Sequence, residues 1–227
     1  MPSRKKALMF ASACFISISS FVIVCLVLAS KNWVSSSINF NERNSSAIVT
    51  ITYGIFGGLC SKKVIGGLET PKEDFEVTAT LQKTETKSLN IVIILLLVVS
   101  LLSSLMSSGF TFCNTVSNPY QTFLGPIGVY TWNSISGSCI LLTMILFAAN
   151  VEANKLPVEL ASKCVLSSSQ YQYSRNNYGY SYWLMLLILL LNIATIIITI
   201  FYHHARYSKR KEQERPIENA PKDGILF

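Results

Sequence analysis

The chain has 227 residues, half of them hydrophobic and only 14% charged, with 19 Lys and Arg against 12 Asp and Glu and a mean hydropathy of +0.41. A soluble domain carries about a quarter charged residues, so this composition excludes an ordinary water-soluble globule and indicates a membrane protein. No nucleic-acid partner is expected from it.

In chain order, the first element is an apolar span over residues 7–30, preceded by the basic MPSRKK of residues 1–6. A cleaved signal peptide ending near Val27-Leu28-Ala29 is the rival reading, but the uncharged stretch exceeds the usual apolar core of about 7 to 15 residues, which favours a retained span. Residues 31–88 then form a first outer loop. AIVTITYGIF (47–56) is rich in β-branched and aromatic residues, and FEVTATL (75–81) alternates apolar and polar, so both are predicted strands. A lone hairpin is marginal in water, and together these stretches suggest a small sheet resting on the helices.

From Ser88 to Val151 the sequence contains no Asp, Glu, Lys, Arg or His. As one helix this run would extend about 96 Å against a hydrocarbon core of roughly 30 Å, so it must fold back. Asn118-Pro119 and Gly125-Pro126 are turn dipeptides. They place a cytoplasmic turn at 114–126 between a second span, 89–113, and a third, 127–149. A second outer loop (150–179), a fourth span (180–202) and a cytoplasmic tail (203–227) complete the layout. The expected fold is therefore an all-α membrane protein, a four-helix transmembrane bundle with a small extracellular β-sheet from the first outer loop.

Bases near the span ends set the orientation. Arg4, Lys5 and Lys6 abut the first span, and Arg206, Lys209, Arg210 and Lys211 follow the fourth. Both termini are expected in the cytoplasm of a multi-pass plasma-membrane protein. Asn44-Ser45-Ser46 is a glycosylation sequon in the first outer loop, which agrees with that orientation.

Six cysteines divide by compartment. Cys14, Cys25 and Cys139 fall in spans and read as small apolar packing residues. Cys113 lies at the cytoplasmic end of the second span, where palmitoylation can occur. Cys60 and Cys164 face the oxidising side, as a disulfide between the two outer loops or as two separate thiols.

No span contains a charged residue, which argues against proton relays and voltage sensors. Instead Ser100, Ser104, Ser107 and Thr111 share one face of the second span, Asn133 and Gly137 one face of the third, and Asn192, Thr195 and Thr199 one face of the fourth. Such residues let helices approach closely and hydrogen-bond across their interface; lining a polar cavity is the alternative. Tyr120, Tyr130, Trp132, Tyr180, Tyr182 and Trp183 suit interfacial belts. There is no Gly-rich phosphate loop and no metal-spaced Cys/His set, and His203-His204 reads as a solvated helix end. No catalytic residue, cofactor or small-molecule substrate is inferred. The basic cluster after the fourth span should hold the tail against anionic lipid. The terminal Ile225-Leu226-Phe227 has the form captured by PDZ-domain scaffolds.

YGIFGG (53–58), NPYQTFLGPIGVYTWN (118–133) and SGSCILLTMILFA (136–148), with the opening MPSRKKALMF and closing APKDGILF, closely resemble the clarins, small tetraspan membrane proteins. More remotely the layout is similar to the claudin and peripheral myelin protein superfamily, with Trp33 and Gly54-Ile55-Phe56 in comparable places. Only Cys60 follows here, without the second cysteine of that pattern. The clarin resemblance implies a plasma-membrane organising role, known for the family through sensory cells and hearing. The function expected is a non-enzymatic tetraspan that scaffolds or traffics other membrane proteins. An auxiliary channel or receptor subunit and a claudin-like adhesion protein are the alternatives.

Overall fold

The computed structural model describes residues 4–42, 45–64, 66–116, 125–165 and 170–214. Four long helices dominate: α1 (Arg4–Ala29), α3 (Thr84–Val116), α4 (Pro126–Glu152) and α6 (Tyr180–Glu214). Each contains a stretch long and apolar enough to cross a membrane. They close into a ring in which α1 packs on α3 and α6, and α4 packs on the same two helices from the other side.

All four helices are longer than their expected spans. At 33 residues, α3 extends about 50 Å, well beyond a hydrocarbon core of roughly 30 Å. It starts at Thr84, ahead of the expected 89, and takes in Glu85 and Lys87, because an acid in the first turn suits a helix N-terminus. At its other end the helix runs on through Asn114 to Val116, inside the segment expected as a turn. Asn118-Pro119 lies outside the described residues. Pro126 sits at the first turn of α4, where its missing N–H costs no hydrogen bond. α6 continues past residue 202 through ARYSKRKEQE, a run of mostly good helix formers. Hydropathy marks the depth of lipid and not the end of the helix.

An antiparallel five-stranded sheet caps one end of the ring in the order β4-β3-β2-β1-β5. Its strands are β1 (Val34–Glu42), β2 (Ser45–Tyr53), β3 (Gly57–Val64), β4 (Glu73–Glu76) and β5 (Gln170–Tyr178). Four lie between the first two long helices, but β5 comes from the segment between α4 and α6, so the sheet is not the product of the first loop alone. The strand expected over 47–56 stops at Tyr53, where Gly54 N–H bonds to the Gly57 carbonyl at 2.9 Å. A Cβ on Gly54 would stand 2.1 Å from the Ser30 carbonyl oxygen, so only glycine fits there. The strand expected over 75–81 is corrected more sharply. Only Phe75 and Glu76 lie in a strand, and Val77–Thr80 form one helical turn, α2. Val77 and Leu81 are buried four residues apart while Ala79 is exposed, which is helical spacing.

The sheet's inner face presents Val34, Ile38, Val49, Ile51 and Tyr53 to the helix ends, joined by Leu156 and Leu160 of the short helix α5 (Leu156–Ala161). At the junction Trp33 is fully buried. Its ring stacks edge-on against Phe147 of α4 at 4.9 Å, and its indole N–H donates at 2.9 Å to the Val27 carbonyl in the last turn of α1, which Ser30 N–H reaches only at 3.4 Å. Glu159 of α5 reaches across to the start of α3, where its Oε1 accepts the backbone N–H groups of Gln82 and Lys83, both at 2.7 Å.

Replacing Trp33 by Ala removes a large buried ring and the shorter of the two hydrogen bonds to the Val27 carbonyl. Trp33→Ala should lose about 3 to 5 kcal/mol, seen as a lowered melting temperature in detergent by fluorescence-detected size exclusion. An unchanged melting curve would show that the junction is not a stabilising core.

Candidate functional site

The bundle interior is divided by depth. Toward the sheet it is mainly apolar, built from Val24, Val27, Ile93, Leu97, Ile140, Phe147, Met185 and Ile188, with Asn90 and Asn150 also buried there and donating to the Ile55 and Thr86 carbonyls. Farther from the sheet the buried residues become Ser17, Ser20, Ser100, Ser104, Ser107, Asn133, Ser136 and Asn192. The outward face meanwhile carries Leu95, Leu102, Leu105, Leu142, Ile145, Leu190, Ile193 and Ile197. That arrangement, apolar outside and polar within, suits lipid and would be an aggregation surface in water.

The polar residues form a seam touching all four helices. Ser20 of α1 donates to Asn192 Oδ1 at 3.2 Å. Asn192 Nδ2 of α6 donates to Ser136 Oγ of α4 at 3.1 Å. Ser136 in turn shares hydrogen bonds with Ser100 at 2.9 Å and Ser104 at 3.1 Å, both on α3. A second layer lies about one turn away: Asn133 Nδ2 donates to Ser107 Oγ at 2.6 Å and to the Val129 carbonyl at 2.7 Å, and Ser107 meets Ser17 at 3.2 Å. Asn133 thus ties α4 to α3, and Asn192 ties α6 to both α1 and α4.

Thr195 departs from the expectation of a cross-helix bond. It is fully buried, yet its hydroxyl donates to the Leu191 carbonyl at 3.0 Å within its own helix. Thr199 and Thr111 likewise bond to carbonyls of their own helices. These threonines contribute small size rather than a bridge. Ser103 and Thr143 are buried with hydroxyls that find no partner among the described residues. Ser136, the hub, and Ser17 and Ser20 were missed from the sequence, although Ser136 stands three residues after Asn133 and the two α1 serines are themselves three apart, which is one helical face.

At the sheet end, Cys60 of β3 is joined to Cys164 of the 3-10 turn Ser162–Cys164, with Cα atoms 6.7 Å apart and 104 residues between them in sequence. The bridge pins the segment after α4 to the sheet that precedes α3. Burial, reinforced by the carboxylate of Glu152, pushes the Tyr178 phenol up to about 12. Its hydroxyl donates to Glu152 Oε1 at 3.3 Å, as does Asn176 Nδ2 at 3.3 Å, fastening β5 to the end of α4. Cys139 is buried as a packing residue, whereas Cys25 is exposed on the outer face of α1, contrary to expectation. Tyr180 and Trp183 are exposed at the sheet end, and Tyr130 and Trp132 lie near the start of α4 at the opposite end. Asn44, Tyr120 and the terminal Ile225-Leu226-Phe227 lie outside the described residues, and among the described ones no three His, Cys, Asp or Glu side chains gather in a metal-binding group.

Two measurements check these contacts. In a double-mutant cycle of Asn192→Leu and Ser136→Ala, the coupling should be about 0.6 kcal/mol and no more than roughly 1.7, read from unfolding in mixed micelles; a zero coupling would show that the two side chains do not interact. Mass-tagging of thiols under denaturing conditions should leave Cys60 and Cys164 unlabelled until reductant is added, and Cys60→Ser should release Cys164 to the tag. Full labelling of both without reductant would contradict the bridge.

Comparison with known proteins agrees with this architecture. A family model described as Clarin-2-like matches residues 5–199. The chain is 48% identical to Clarin-3 of Homo sapiens over 227 residues and 46% identical to Clarin-3 of Mus musculus over the same length, covering 100% of each chain. It is 26% identical to Clarin-2 of Homo sapiens over 190 residues, 77% of this chain and 81% of that one. Four apolar helices in a ring and a full-length match of this strength lead to one conclusion: the chain is a multi-pass membrane protein that belongs to the clarin family.

Proposed function

We propose that this protein is a non-catalytic plasma-membrane tetraspan that gathers or escorts partner membrane proteins, with both termini in the cytosol and the sheet outside. The observation that carries this reading is the seam. Its amides and hydroxyls are turned toward one another across all four helices, so the interior serves to hold the bundle together. What remains for recognition is the exterior: an apolar belt for lateral contact in the bilayer, and the outward side of the sheet with Ser37, Thr50, Tyr173, Arg175 and Asn177 exposed.

Orientation follows from charge. Arg4, Lys5 and Lys6 begin α1, and Arg206 to Lys211 follow the apolar part of α6; both groups lie at the end of the ring away from the sheet. Bases at a span end favour the cytoplasm. The sheet end is then the oxidising side, in keeping with the Cys60–Cys164 bridge and with a glycan on Asn44. Ile225-Leu226-Phe227 would be offered to a cytoplasmic PDZ-type scaffold.

Crosslinking with a membrane-impermeant lysine reagent on living cells, followed by mass spectrometry, should recover other integral membrane proteins joined to the sheet. Purified protein in liposomes should conduct no ions. Measurable unaided flux would overturn the scaffold reading. Asn44→Gln should abolish an endoglycosidase-sensitive mass shift, and epitope tags at either end should stain only after permeabilisation. A terminal tag accessible on intact cells would overturn the orientation.

A further inference from the structure

At the end of the ring away from the sheet, the seam gives way to a groove between α4 and α6. It has a volume of about 560 Å³ and is lined by Tyr130, Ile196, Ile200, His203 and His204. Ligand cavities usually run about 300 to 1,000 Å³, with mostly apolar walls and a few convergent polar groups, and this groove has that character. Its depth restricts the occupant. The candidate span of α6 runs Tyr180–Ala205, so Ile196 and Ile200 lie within hydrocarbon reach while the two histidines stand at its boundary. Tyr130 stands close to the start of α4, the other wall, where interfacial tyrosines gather. The rotation of α6 is fixed at the same level, because Tyr202 is turned toward α1 and its ring stacks edge-on with Phe10 at 4.7 Å. The histidines that follow are exposed and border the groove on the α4 side.

Charge selects among membrane components. His203 and His204 are the only histidines in the sequence, and α6 continues past them through Arg206, Lys209, Arg210 and Lys211 before its first acid, Glu212. Over that distance, about 14 Å at 1.5 Å per residue, the helix carries only positive charge and neutral residues. A groove with an apolar floor at acyl depth and a cationic rim at headgroup depth matches one class of molecule. We propose that it is a binding site for an anionic phospholipid, its acyl chain against Ile196 and Ile200 and its headgroup at His203 and His204. The site rests on the transmembrane placement of α6 and not on which leaflet faces the cytosol, so its test is independent of the scaffold reading.

The full-length protein in detergent, titrated with dioleoyl phosphatidylserine or dioleoyl phosphatidylcholine and followed by native mass spectrometry, should take up one phosphatidylserine saturably. It should prefer that lipid over phosphatidylcholine by about ten-fold or more. Ile200 is 51% exposed, so Ile200→Trp fills the groove without disturbing the core and should remove the saturable adduct while the melting temperature stays unchanged. Arg206→Gln with Lys209→Gln keeps the groove open, since Tyr130, Ile196, Ile200, His203 and His204 all stay in place. It should weaken phosphatidylserine binding by several fold, about five-fold for each charge lost near the surface, and should leave phosphatidylcholine uptake unaltered. Equal retention of the two lipids, a phosphatidylserine adduct insensitive to Ile200→Trp, preferential retention of cholesterol, or a dimer dissolved by Ile200→Trp would each overturn the proposal. The last outcome would instead assign the groove to a second copy of the chain.

Discussion

Inside a bilayer no water is available to accept a hydrogen bond, so a polar group carried into the hydrocarbon is costly unless it finds a partner within the protein. The rest of this structure depends on that constraint. It explains why Ser17, Ser100, Ser104, Asn133 and Asn192, drawn from all four helices, converge on Ser136 and Ser107. It also explains why small side chains dominate there. Between helices in lipid there is little hydrophobic drive, because the tails are as apolar as leucine, and association relies on close packing and interhelical hydrogen bonds. Serine supplies both, and threonine supplies the close packing, at a size that lets backbones approach.

The sheet end is held by different forces. There the helices emerge into a layer where ordinary burial operates again, and the contacts become aromatic, covalent and capping. Trp33 and Phe147 lock α1 to α4, Glu159 accepts the backbone donors at the start of α3, and the Cys60–Cys164 bridge ties the segment after α4 to β3. Close backbone approach completes the fit. Gly179 N–H bonds to the Trp33 carbonyl at 2.8 Å, and a Cβ on Gly179 would stand 2.3 Å from the Asn32 carbonyl oxygen. Each device joins segments remote in sequence, so the sheet acts as a clamp that fixes how the four helices are gathered at that end.

These two regimes account for what could be read from the sequence. The spans were legible because exclusion of charge from lipid is a strong constraint that acts on composition alone. The faces of Ser100, Ser104, Asn133 and Asn192 were legible because helical spacing is regular. The sheet was only partly legible, since half of each strand faces water and is free to be polar. β5, QYQYSRNNY, has no aliphatic residue; it is extended because β1 offers it a ladder of backbone partners, broken only by a bulge at Gln172, a fact about another part of the chain. FEVTATL alternates as a strand does, but burial of Val77 and Leu81 on α5 and the sheet edge overrides the alternation after Glu76. The extra turns of α3 and α6 escaped because hydropathy reports where lipid ends, whereas helix boundaries follow propensity and capping. Ser136 escaped because serine is the plainest of the seam's members, and its central place exists only once four helices surround it.

The groove between α4 and α6 follows from where the seam stops. Asn192 is the last residue of α6 with a side-chain bond to another helix in the seam. Beyond it Thr195 and Thr199 return their hydroxyls to α6. At the same depth Asn133 turns toward Ser107, so α4 is fastened to α3 on one side, and among the described residues no side-chain bond matches it toward α6 on the other. Two helices anchored to different neighbours and released from one another past a fixed point leave a gap between them, and the gap lies among Tyr130, Ile196 and Ile200. In hydrocarbon an open cleft forfeits dispersion contacts along both walls, so a gap at that depth favours an apolar occupant, and the basic run beyond His204 determines which charge its polar end should carry.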